Sequence, residues 1–492
     1  MGPLRVVFLI ENVSILRDRR VRQEAAALAG AGCEVSVVCP RLKTEPRLPG
    51  FIDGAHVYSY LQPWQGTGLL TYALEYGWAL LASSLLMLVI WLRRGFDVLH
   101  AANPPDLFFL LAVPFRGLGK KFVYDQHDLS PDIFAAKFGG RAPVLYRLLL
   151  LLERCSYGLA DLVIVTNQSF HRLAITRGRC PADKIVVVRN GPDLQRFECG
   201  PAKARLKRGA AFLAVYVGIM GTKAGVDRVI RAAHHIVHKR GRNDVHFALV
   251  GDGDCRPALQ ELARSLQVEP YVSFPGFLAD QELLAWLASA DVCLASDPPI
   301  PVNQLCTSSK LLEYMSCGKA TVCFDLAEAH YSAGSAAVYV KEDDPIQFGD
   351  AILELLGDAT RRRRMGEAGL QRVRQELQWE NSRRRLLEAY RRLTGAALPE
   401  IARTGANCVR IVWTTKDGTR EELDRLKTHI ASARELVMTH QPVGRRLDFL
   451  AQELAREANT LCAKSNDPAL TGIGMELRVE IEQFREQVQN IE

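Results

Sequence analysis

The sequence lacks the signatures of several common protein classes. It has no Walker A motif, and no G-x-G-x-x-G follows its first apolar run, which disfavours P-loop NTPases and NAD-dependent enzymes. Its twelve cysteines include no C-x-x-C pair, which argues against a disulfide framework or a zinc site and favours a reducing cytosol. The first residues carry no secretory cleavage site. No Asp-x-Asp at a strand end has the character of a metal–nucleotide clamp, so we predict no metal requirement.

The composition is that of a globular protein. The 492 residues suffice for about three domains of roughly 150 residues each. With 48% hydrophobic and 24% charged residues, the chain is not wholly disordered, collagenous or a polytopic membrane protein. Its formal net charge of +7 suits an acidic surface or phosphorylated ligands and does not require nucleic acid as a partner.

Two successive series of strand–helix patterns fill most of the chain. Val6–Ile10 is a continuous apolar run, as expected of a parallel strand covered on both faces. Similar runs recur up to "KIVVVRNG", and a second series extends from "AVYVGIMG" to "AAVYV". We therefore predict an α/β fold with two Rossmann-like domains, residues 1–198 and 199–395. In such sheets ligands bind beyond the carboxyl ends of the strands. The polar residues that follow strand patterns in the first domain are Asn12, Asn103, Asp125, His127, Asp128, Asn167 and Asn190.

The last hundred residues follow a different pattern. We predict a linker over residues 396–417 and a small helical module over residues 418–492. Five apolar positions of this module are spaced by 4, 3, 4 and 3 residues, a heptad-like seam that would support a homo-oligomer. They are Leu477, Ile481, Phe484, Val488 and Ile491.

One segment, Tyr76 to Leu92, carries no charge over 17 residues and is followed by Arg93 and Arg94. It is shorter than the about 20 apolar residues that a membrane span needs. Two interpretations remain, a helix buried against the sheet or a helix lying in the membrane interface. A full span is disfavoured, because strand patterns of one sheet lie on both sides of the segment.

Two turns of the second series are candidates for binding a phosphate. In "VGIMGTKAGVDRVIRA", Gly218 and Gly221 let the backbone approach a ligand, and the helix that follows offers free N–H groups. In "CTSSKLLEYMSCGKATVCFD", three hydroxyl residues precede a helix, Lys310 adds a cation, and Glu313 can accept hydrogen bonds from ribose hydroxyls. The three hydroxyl residues are Thr307, Ser308 and Ser309. The alternatives are an ordinary turn and a capped helix with a solvated glutamate.

A histidine follows a strand pattern in the first domain. In "YDQHDLSPD", His127 lies between two carboxylates. It can donate to a phosphate or a sugar hydroxyl or act in proton transfer, and the alternative is a histidine bonded within its own loop.

Residues 1 to about 395 resemble a retaining family-4 glycosyltransferase of GT-B fold, with most likeness to the WbuB-like branch that builds bacterial surface polysaccharides. The segments that carry the resemblance are "ENVSILRDRRVRQEA", "FDVLHAANPPDLFFL", "FVYDQHDLSPDIFAAKFG", "VTNQSF", "VVRNGPDLQRF", "VYVGIMGTKAGVDRVIRAAHHIV", "ALVGDGD", "VSFPGF" and "SSKLLEYMSCGKATVCFDLAE". The resemblance implies a nucleotide-sugar donor substrate held mainly by the second domain, no separate cofactor, and an acceptor on the first domain.

The resemblance also implies roles for individual residues. Glu313 would hold the ribose and His127 would face the transferred sugar. The diphosphate would lie among Thr307, Ser308, Ser309, Lys310 and the Gly218 turn, and the base near Gly276 and Phe277. In retaining members the leaving diphosphate assists attack from the same face, so charge stabilisation is the main demand on the protein.

Two departures from the family pattern bear on the donor. The family often has a second glutamate eight residues before Glu313, where this chain has Leu305, so Asn303 or Gln304 is an alternative ligand for the sugar. The family's arginine and lysine of the glycine turn are replaced by Ile219 and Ala224. Lys223 is one step aside and is predicted to share the phosphate charge with Lys310.

The tail, from about Arg420, resembles the C-terminal segment of YicC-type proteins, a family described as endoribonucleases. "EELDRLKTHIASARELV" and the chain from "GRRLDFLAQELAREANTLCAKSND" onward carry the likeness. Glu453 and Glu457, four residues apart on one helical face, can bind a metal or act as acid and base. The alternative is a solvated charged face or an oligomer contact.

These patterns together predict a hexosyl- or N-acetylhexosaminyl-type glycosyltransferase on the cytoplasmic face of a bacterial membrane. It would transfer a sugar from a nucleotide-sugar to a lipid-linked acceptor, with peripheral membrane contact through residues 76–92. The alternatives are another GT-B nucleotide-sugar enzyme, such as an epimerase or phosphorylase, and an RNA-processing or oligomerising protein that acts through its tail.

Overall fold

The computed structural model describes residues 2–42, 48–63, 68–138, 142–194, 196–396 and 398, and in the tail residues 429, 447, 450–456, 458 and 481. The chain divides into two compact units, Met1–Arg403 and Thr404–Glu492.

The first lobe of the larger unit is built on an eight-stranded sheet. Its strands are β1 (Arg5–Leu9), β2 (Glu34–Leu42), β3 (Phe51–Ile52), β4 (Ala55–Gln62), β5 (Val98–Ala102), β6 (Lys121–Gln126), β7 (Leu162–Val165) and β8 (Ile185–Val187). Their order across the sheet is β3-β4-β2-β1-β5-β6-β7-β8, and only the β3–β4 pair is antiparallel. The chain leaves β1 to one side and returns to β5 on the other, so the sheet changes direction between these two strands.

The second lobe is built on a six-stranded parallel sheet. Its strands are β9 (Phe212–Val217), β10 (Val245–Val250), β11 (Val272–Gly276), β12 (Val292–Ala295), β13 (Thr321–Phe324) and β14 (Ala337–Val340). They are ordered β11-β10-β9-β12-β13-β14, with the change of direction between β9 and β12.

Helices cover both faces of each sheet. Those that follow strands of the first sheet are α1 (Arg19–Gly30), α2 (Leu69–Arg93), α3 (Phe109–Arg116), α4 (Ser130–Phe138), α5 (Pro143–Leu159) and α6 (Gln168–Thr176). The remaining ones are α7 (Val226–His234), α8 (Arg256–Ser265), α9 (Asp280–Ser289), α10 (Pro301–Leu305), α11 (Ser309–Ser316), α12 (Ala327–Ala333), α13 (Pro345–Gly357), α14 (Ala359–Arg372) and α15 (Trp379–Thr394). Asp18 caps α1 by accepting a hydrogen bond from the Val21 N–H at 3.0 Å, an interaction worth about 1 kcal/mol.

Each sheet has an apolar core on both of its faces. The central strands are buried along their whole length, as in Val98–Ala102 and Val245–Val250, because helices exclude water from both sides. The predicted α/β fold with two Rossmann-like lobes is confirmed. The strands β3 and β4 were not predicted, because the "AHVYSYLQ" segment mixes polar and aromatic residues and is only partly buried.

Helix α15 lies within the range assigned to the second domain, yet it packs on the first lobe. Its buried residues Leu386, Leu387 and Tyr390 belong to the same core as Val6 and Phe8 of β1. The chain therefore crosses back to the first sheet after completing the second one. Only the tertiary structure reveals this crossing, because the apolar stripe of α15 does not specify which sheet it covers.

Helix α2 is longer than the apolar segment that marks it. It is the one helix among the described residues that is long and apolar enough to cross a membrane, and 28% of its most apolar window is buried. One face, with Ala79, Met87 and Ile90, is packed into the first lobe, while Leu81 and Leu85 are more than half exposed. The helix therefore has a packed face and an apolar face turned outward, and its position in a membrane interface stays a prediction.

The described residues of the tail unit are helical. Leu454, Ala458 and Ile481 are buried together, and Glu453 is half-buried with Arg456 3.2 Å from its carboxylate. The predicted C-terminal helical segment is thereby confirmed. Glu457, the linker apart from residues 396 and 398, and the seam residues other than Ile481 lie outside the described residues.

The start of α15 is held against the first lobe by a close backbone contact. The Trp379 N–H donates to the Pro192 carbonyl at 3.0 Å, and a Cβ on Gly191 would collide with the Leu377 carbonyl and the backbone of Gln378 and Trp379. We expect Gly191→Ala to lower the free energy of unfolding by about 1–3 kcal/mol, since added atoms in a packed site force the backbone to shift. Chemical denaturation measures the change.

Gly200→Ala is the matched control for this prediction. Gly200 is exposed and no atom lies within 4 Å of the position of its Cβ. Equal stability of the two variants would contradict the role of the contact at Gly191.

Candidate active site

The carboxyl ends of the two sheets face each other across a cleft. Arg19, at the start of α1 in the first lobe, pairs with Glu313 of α11 in the second lobe, with 2.9 Å between the Arg19 Nη1 and the Glu313 Oε1. Asn167, which follows β7, donates to the Leu305 carbonyl at 2.8 Å and to the Thr307 hydroxyl at 3.1 Å. In α/β sheets the ends of the strands at a change of direction are the usual place for a ligand, and here two such places oppose each other.

The second lobe contributes a backbone surface formed by the loops at Gly218, Gly251 and Gly276, which we call the Gly218 floor. Gly218 follows β9 with φ +153°, and a Cβ on the neighbouring Gly251 would collide with the Gly218 carbonyl oxygen. The Gly251 N–H in turn donates to the Gly276 carbonyl at 2.9 Å. At Gly251 a side chain cannot fit, and at Gly218 the φ of +153° disfavours one, so these half-buried loops present backbone rather than side chains. Gly221 borders open space and has φ −104°, which any residue adopts.

Two apolar side chains stand at the rim of this floor. Ile219 is 80% exposed and Phe277 is 85% exposed. Phe277 follows Gly276 directly, so an aromatic ring is available where the family resemblance places the base.

The helix α11 begins beside this floor with a paired lysine. The Lys310 Nζ lies 2.7 and 2.8 Å from the two carboxylate oxygens of Asp297, which also accepts a hydrogen bond from the Ser308 hydroxyl at 3.0 Å. The ammonium group of Lys310 lies 5.5 Å from the centre of the Tyr216 ring. The positive charge at the start of α11 is thus locally balanced by a carboxylate that follows β12.

The other predicted residues of this segment differ in exposure and in hydrogen bonding. Ser309 is the exposed first residue of α11, and Thr307 is held between Asn167 and Glu328. The side-chain amides of Asn303 and Gln304, the alternative ligands for the sugar, both form hydrogen bonds with backbone groups. Asn303 donates to the Pro298 carbonyl at 2.9 Å, and Gln304 accepts from the Ala327 N–H at 2.9 Å.

In the first lobe, Asn103 shapes the loop that carries His127. Its amide oxygen accepts from the backbone N–H groups of His127 and Asp128 at 2.6 and 3.0 Å. The His127 Nε2 lies 2.5 Å from the Asp125 Oδ2. An ionised Asp125 can only accept here, so Nε2 carries the proton and Nδ1 is the ring nitrogen that can serve the cleft.

Below His127 lies a buried charged cluster. Arg20 donates to both oxygens of Asp125, at 2.8 and 3.2 Å, and lies 3.0 Å from the Glu24 carboxylate. Burial opposes ionisation of Asp125, but Arg20 and His127 outweigh it and hold the pKa of this carboxyl well below its usual range. Burial raises the pKa of Glu24 well above its usual range and lowers the pKa of His100. The cluster therefore keeps Asp125 as the charged partner of Arg20.

By distance alone, one group among the described residues can hold a metal ion, Glu24 with His100 and Asp125. The Arg20 guanidinium already supplies a positive charge to both carboxylates of this group, at 3.0 Å from Glu24 and 2.8 Å from Asp125. A cation placed there would be repelled by the guanidinium. The cluster fits an ion-pair network better than a metal site.

Lys223 faces the first lobe across the cleft. It interacts electrostatically with Asp128, and burial lowers the pKa of its ammonium while Asp128 opposes that shift. Lys137 of α4 lies near enough to lower it further. Lys223 and Lys310 thus approach the cleft from different sides, and each has a carboxylate nearby.

The structure therefore gathers the predicted residues around one cleft, with His127 on one side and the Gly218 floor and the α11 start on the other. Their catalytic and binding roles stay predictions. Sequence reasoning missed Arg19, Arg20 and Asp297. Asp297 had a usable signal, since it ends the strand pattern "ADVCLASD", whereas the arginines stood in a charged cluster with no sign of which ones turn inward.

Comparison with solved structures indicates the fold class of the protein. The fold resembles sucrose-phosphate synthase from Thermosynechococcus elongatus (TM-score 0.64, 18% identity, 80% of this chain and 99% of that one). It also resembles Anabaena HepE in complex with UDP (0.60, 18%, 79% and 99%) and WaaG, a glycosyltransferase involved in lipopolysaccharide biosynthesis (0.59, 18%, 80% and 100%). Two facing parallel sheets of this kind define the GT-B fold.

Family models and curated relatives extend the comparison. The "Glycosyl transferase 4-like domain" matches residues 18–191, "Glycosyl transferases group 1" matches residues 211–358, and "Endoribonuclease YicC-like, C-terminal" matches residues 371–492. The chain is 24% identical over 307 residues to alpha-maltose-1-phosphate synthase from Mycolicibacterium smegmatis, covering 56% of this chain and 74% of the relative. The tail is 50% identical over 72 residues to a probable endoribonuclease YicC from Haemophilus influenzae, covering 15% of this chain and 25% of that relative's length.

Over residues 18–358 the chain therefore belongs to the group 1 glycosyltransferases, and it carries a YicC-like C-terminal domain behind them. The family resemblance drawn from the sequence is confirmed at this level. Its retaining and WbuB-like details stay predictions.

The buried ion pair below His127 predicts that two arginines of α1 contribute differently to the free energy of unfolding. We expect Arg20→Ala to cost about 3–5 kcal/mol of unfolding free energy, because it leaves Asp125 charged and buried without its partner. Denaturation of the purified protein measures the loss, and Arg20→Lys, which keeps a positive charge, should lose less.

Arg22→Ala is the matched control. Arg22 pairs with Asp53 at the surface, where such pairs contribute about 0.2–1 kcal/mol. A loss at Arg20 as small as that at Arg22 would show that the buried pair does not support the lobe.

Proposed function

We propose that this glycosyltransferase moves a hexosyl or N-acetylhexosaminyl group from a nucleoside-diphosphate sugar to a lipid-linked acceptor, with retention, in bacterial surface polysaccharide synthesis. The observation that carries the donor part of the proposal is the cleft between the Gly218 floor, the α11 start and His127. HepE binds UDP and WaaG is involved in lipopolysaccharide biosynthesis, and these two proteins support the substrate classes by likeness of fold.

The donor diphosphate would lie where backbone and cations converge. The exposed backbone at Gly218 and the N–H groups at the start of α11 are suited to phosphate oxygens. Lys310, Lys223 and Arg19 approach this region from three elements. As the sugar–phosphate bond breaks, negative charge grows on the leaving diphosphate, and these cations would stabilise it. Lys310 would exchange Asp297 for the phosphate, and Arg19 would release Glu313 for the ribose.

Retention is supported by how the cleft carboxylates are paired. Asp297 is bound by Lys310, Glu313 by Arg19 and Asp125 by Arg20. In the donor complex Asp125 would stay paired with Arg20, Glu313 would bind the ribose and Asp297 would keep its hydrogen bond from Ser308, so none of the three would be free to act as a nucleophile. The leaving diphosphate would instead assist the incoming acceptor hydroxyl. His127, held by Asp125 and Asn103, would hydrogen-bond the transferred sugar.

Membrane contact is supported by an apolar surface larger than α2. The outward leucines of α2 are joined by exposed apolar residues on α3 and α5, which pack on the same side of the first sheet. Trp91 of α2 touches Phe115 of α3 with ring centres 5.8 Å apart. We name these residues the apolar face; they are Leu81, Leu85, Leu88, Leu92, Leu110, Val113, Leu118, Val144, Leu148 and Leu151. Exposed Arg93, Arg94 and Arg147 accompany it and suit anionic headgroups. The proposed location is the cytoplasmic face of the inner membrane.

The tail supports a second candidate activity. Its likeness to a probable endoribonuclease covers 25% of that relative's length, so RNA cleavage through Glu453 and Glu457 is a proposal for this chain and no more. The buried contact among Leu454, Ala458 and Ile481 equally suits an oligomerising helical module.

The donor assignment is tested with a panel of UDP-, GDP-, dTDP- and ADP-sugars. We expect one nucleoside diphosphate to bind with micromolar affinity in calorimetry, and Glu313→Ala to weaken it at least tenfold because two ribose hydrogen bonds to a charged group are lost. Glu367→Ala, an exposed glutamate on α14, is the control and should bind like the parent. Binding of no nucleotide, or unchanged affinity of Glu313→Ala, would contradict the donor assignment.

The membrane assignment is tested by sedimentation with phosphatidylglycerol–phosphatidylethanolamine vesicles. Replacing Leu81, Leu85 and Leu88 together by Gln should reduce binding more than tenfold, since each buried leucine contributes about 1 kcal/mol or more. Ile346→Gln, at an exposed apolar position of the second lobe, is the control. Equal sedimentation of the two variants would argue against the apolar face as the contact.

A further inference from the structure

Two cysteines meet where the chain between the two sheets packs on the second lobe. Cys199 lies in the segment 188–211 that joins β8 to β9, which we call the interlobe connection, and Cys317 directly follows α11. Both are half-buried thiols, and their side chains are hydrogen-bonded to each other. The proposed glycosyl transfer uses neither of them, so the contact calls for a different role.

Other hydrogen bonds bring the two chain segments to the same corner of the second lobe. The Lys203 N–H, four residues beyond the first cysteine, donates to the Ser289 hydroxyl at 2.8 Å. The Lys319 ammonium, two residues beyond the second cysteine, donates to the carbonyls on either side of Ser289 at 2.7 and 3.0 Å. Leu194 and Leu206 of the interlobe connection pack on the same apolar core as the second cysteine. The contact between the thiols therefore follows from the packing of both segments.

The two thiols differ in reactivity. The hydrogen bond that Cys317 donates lowers the pKa of Cys199; burial opposes this shift and the Lys319 ammonium supports it. The same hydrogen bond, together with burial, raises the pKa of Cys317 well above its usual range. The thiolate is the form of cysteine that attacks an oxidant. Cys199 is therefore the sulfur that reacts first, and Cys317 stays beside it as a thiol.

A third thiol lies close to this pair but is less accessible. Cys293 of β12 interacts electrostatically with both Cys199 and Cys317, yet it is fully buried. Burial raises the pKa of Cys293 to about 12, so this thiol is not ionised at neutral pH. We therefore expect Cys293 to stay unchanged while the other two react.

We propose that Cys199 and Cys317 are a redox modification site, at which hydrogen peroxide forms a reversible disulfide that fastens the interlobe connection to the second lobe. The Cys199 thiolate attacks one peroxide oxygen, the O–O bond breaks, and one water leaves with Cys199 as a sulfenic acid. The Cys317 sulfur then attacks the Cys199 sulfur, the S–O bond breaks, and a second water leaves. Two thiols and one peroxide thus give one disulfide and two waters, with two electrons passing from sulfur to oxygen. A dithiol reductant reverses the reaction by exchange.

The disulfide would add a strong tie where the existing ones are weak. Among the described residues, the interlobe connection is held to α9 by the surface ion pair of Arg196 with Asp280 and by the hydrogen bond from Lys203 to Ser289. Such contacts individually contribute about 1 kcal/mol or less. The ten cysteines among the described residues are all thiols, and disulfides of a reducing cytosol are usually transient and redox-sensing. The proposal goes beyond glycosyl transfer and does not depend on the donor assignment.

The proposal is tested by peptide mass spectrometry on the purified full chain. The reduced protein is treated with a small molar excess of hydrogen peroxide, its remaining thiols are alkylated, and it is digested without reductant. We expect a peptide pair that joins Cys199 to Cys317, at the summed mass less two hydrogens, and its loss after dithiothreitol. Because the bond closes a loop that contains β9 to β12, oxidation should also raise the melting temperature by about 5 °C or more, and dithiothreitol should reverse the rise.

Serine variants separate the pair from general oxidation of the protein. In Cys317→Ser the first cysteine keeps its thiol but has no partner, so it should stop at the sulfenic acid, which dimedone labels, and oxidation should not raise the melting temperature. Cys255→Ser, which changes a half-buried cysteine next to α8, is the matched control and should still form the bond.

The peptide map of the parent protein decides the proposal even where a variant fails to fold. The absence of a linked peptide in the oxidised parent would overturn it, as would a bond from Cys199 to a cysteine other than Cys317. A rise in melting temperature that persists in Cys317→Ser would also contradict it, because the stabilisation would then come from another site.

Discussion

The buried contact between Arg20 and Asp125 holds together the side of the first lobe that faces the cleft. A single guanidinium from α1 reaches the carboxylate at the end of β6, the Val188 carbonyl beyond β8 at 2.8 Å and the Asn190 amide at 2.6 Å. Asp125 in turn orients His127. Because these charges are removed from water, each needs its oppositely charged partner to offset the cost of desolvation. The contacts among them therefore fix the conformation of the loop after β6.

The same cluster reaches the last helix of the glycosyltransferase unit. His100 lies 3.4 Å from Asp125 and 2.7 Å, through its Nδ1, from the Tyr390 hydroxyl of α15. Helix α15, which follows the second lobe in the chain, thus contacts through Tyr390 the network that supports His127. Arg19 makes the corresponding link at the surface, through Glu313. The relative position of the lobes is therefore coupled, by two neighbouring arginines of one helix, to the residues on both sides of the cleft.

Helix α2 has two faces of different character. Its inner face carries Glu75, Tyr76 and Ser83 toward buried polar groups, and its outer face carries leucines. A helix that is apolar nearly all round is normally buried or membrane-bound, and this one has one face buried in the lobe and another that is apolar and exposed. The arrangement explains why the segment is too apolar for an ordinary surface helix and yet is not uniformly buried.

The two-lobed α/β fold could be predicted from the sequence, because strands covered on both faces must be continuously apolar. The rule that ligands bind beyond the carboxyl ends of strands indicated the candidate residues His127, Gly218 and Lys310, whose roles stay predictions. The sequence could not show which charges pair. Lys310 meets Asp297 and Glu313 meets Arg19, partners 13 and 294 residues away. Nor could it show that Asn303 and Gln304 turn to the backbone, or that α15 returns to the first lobe. The periodicity of apolar residues predicts which side chains are buried. Which residues they contact is determined only by the tertiary packing of segments that are distant in the sequence.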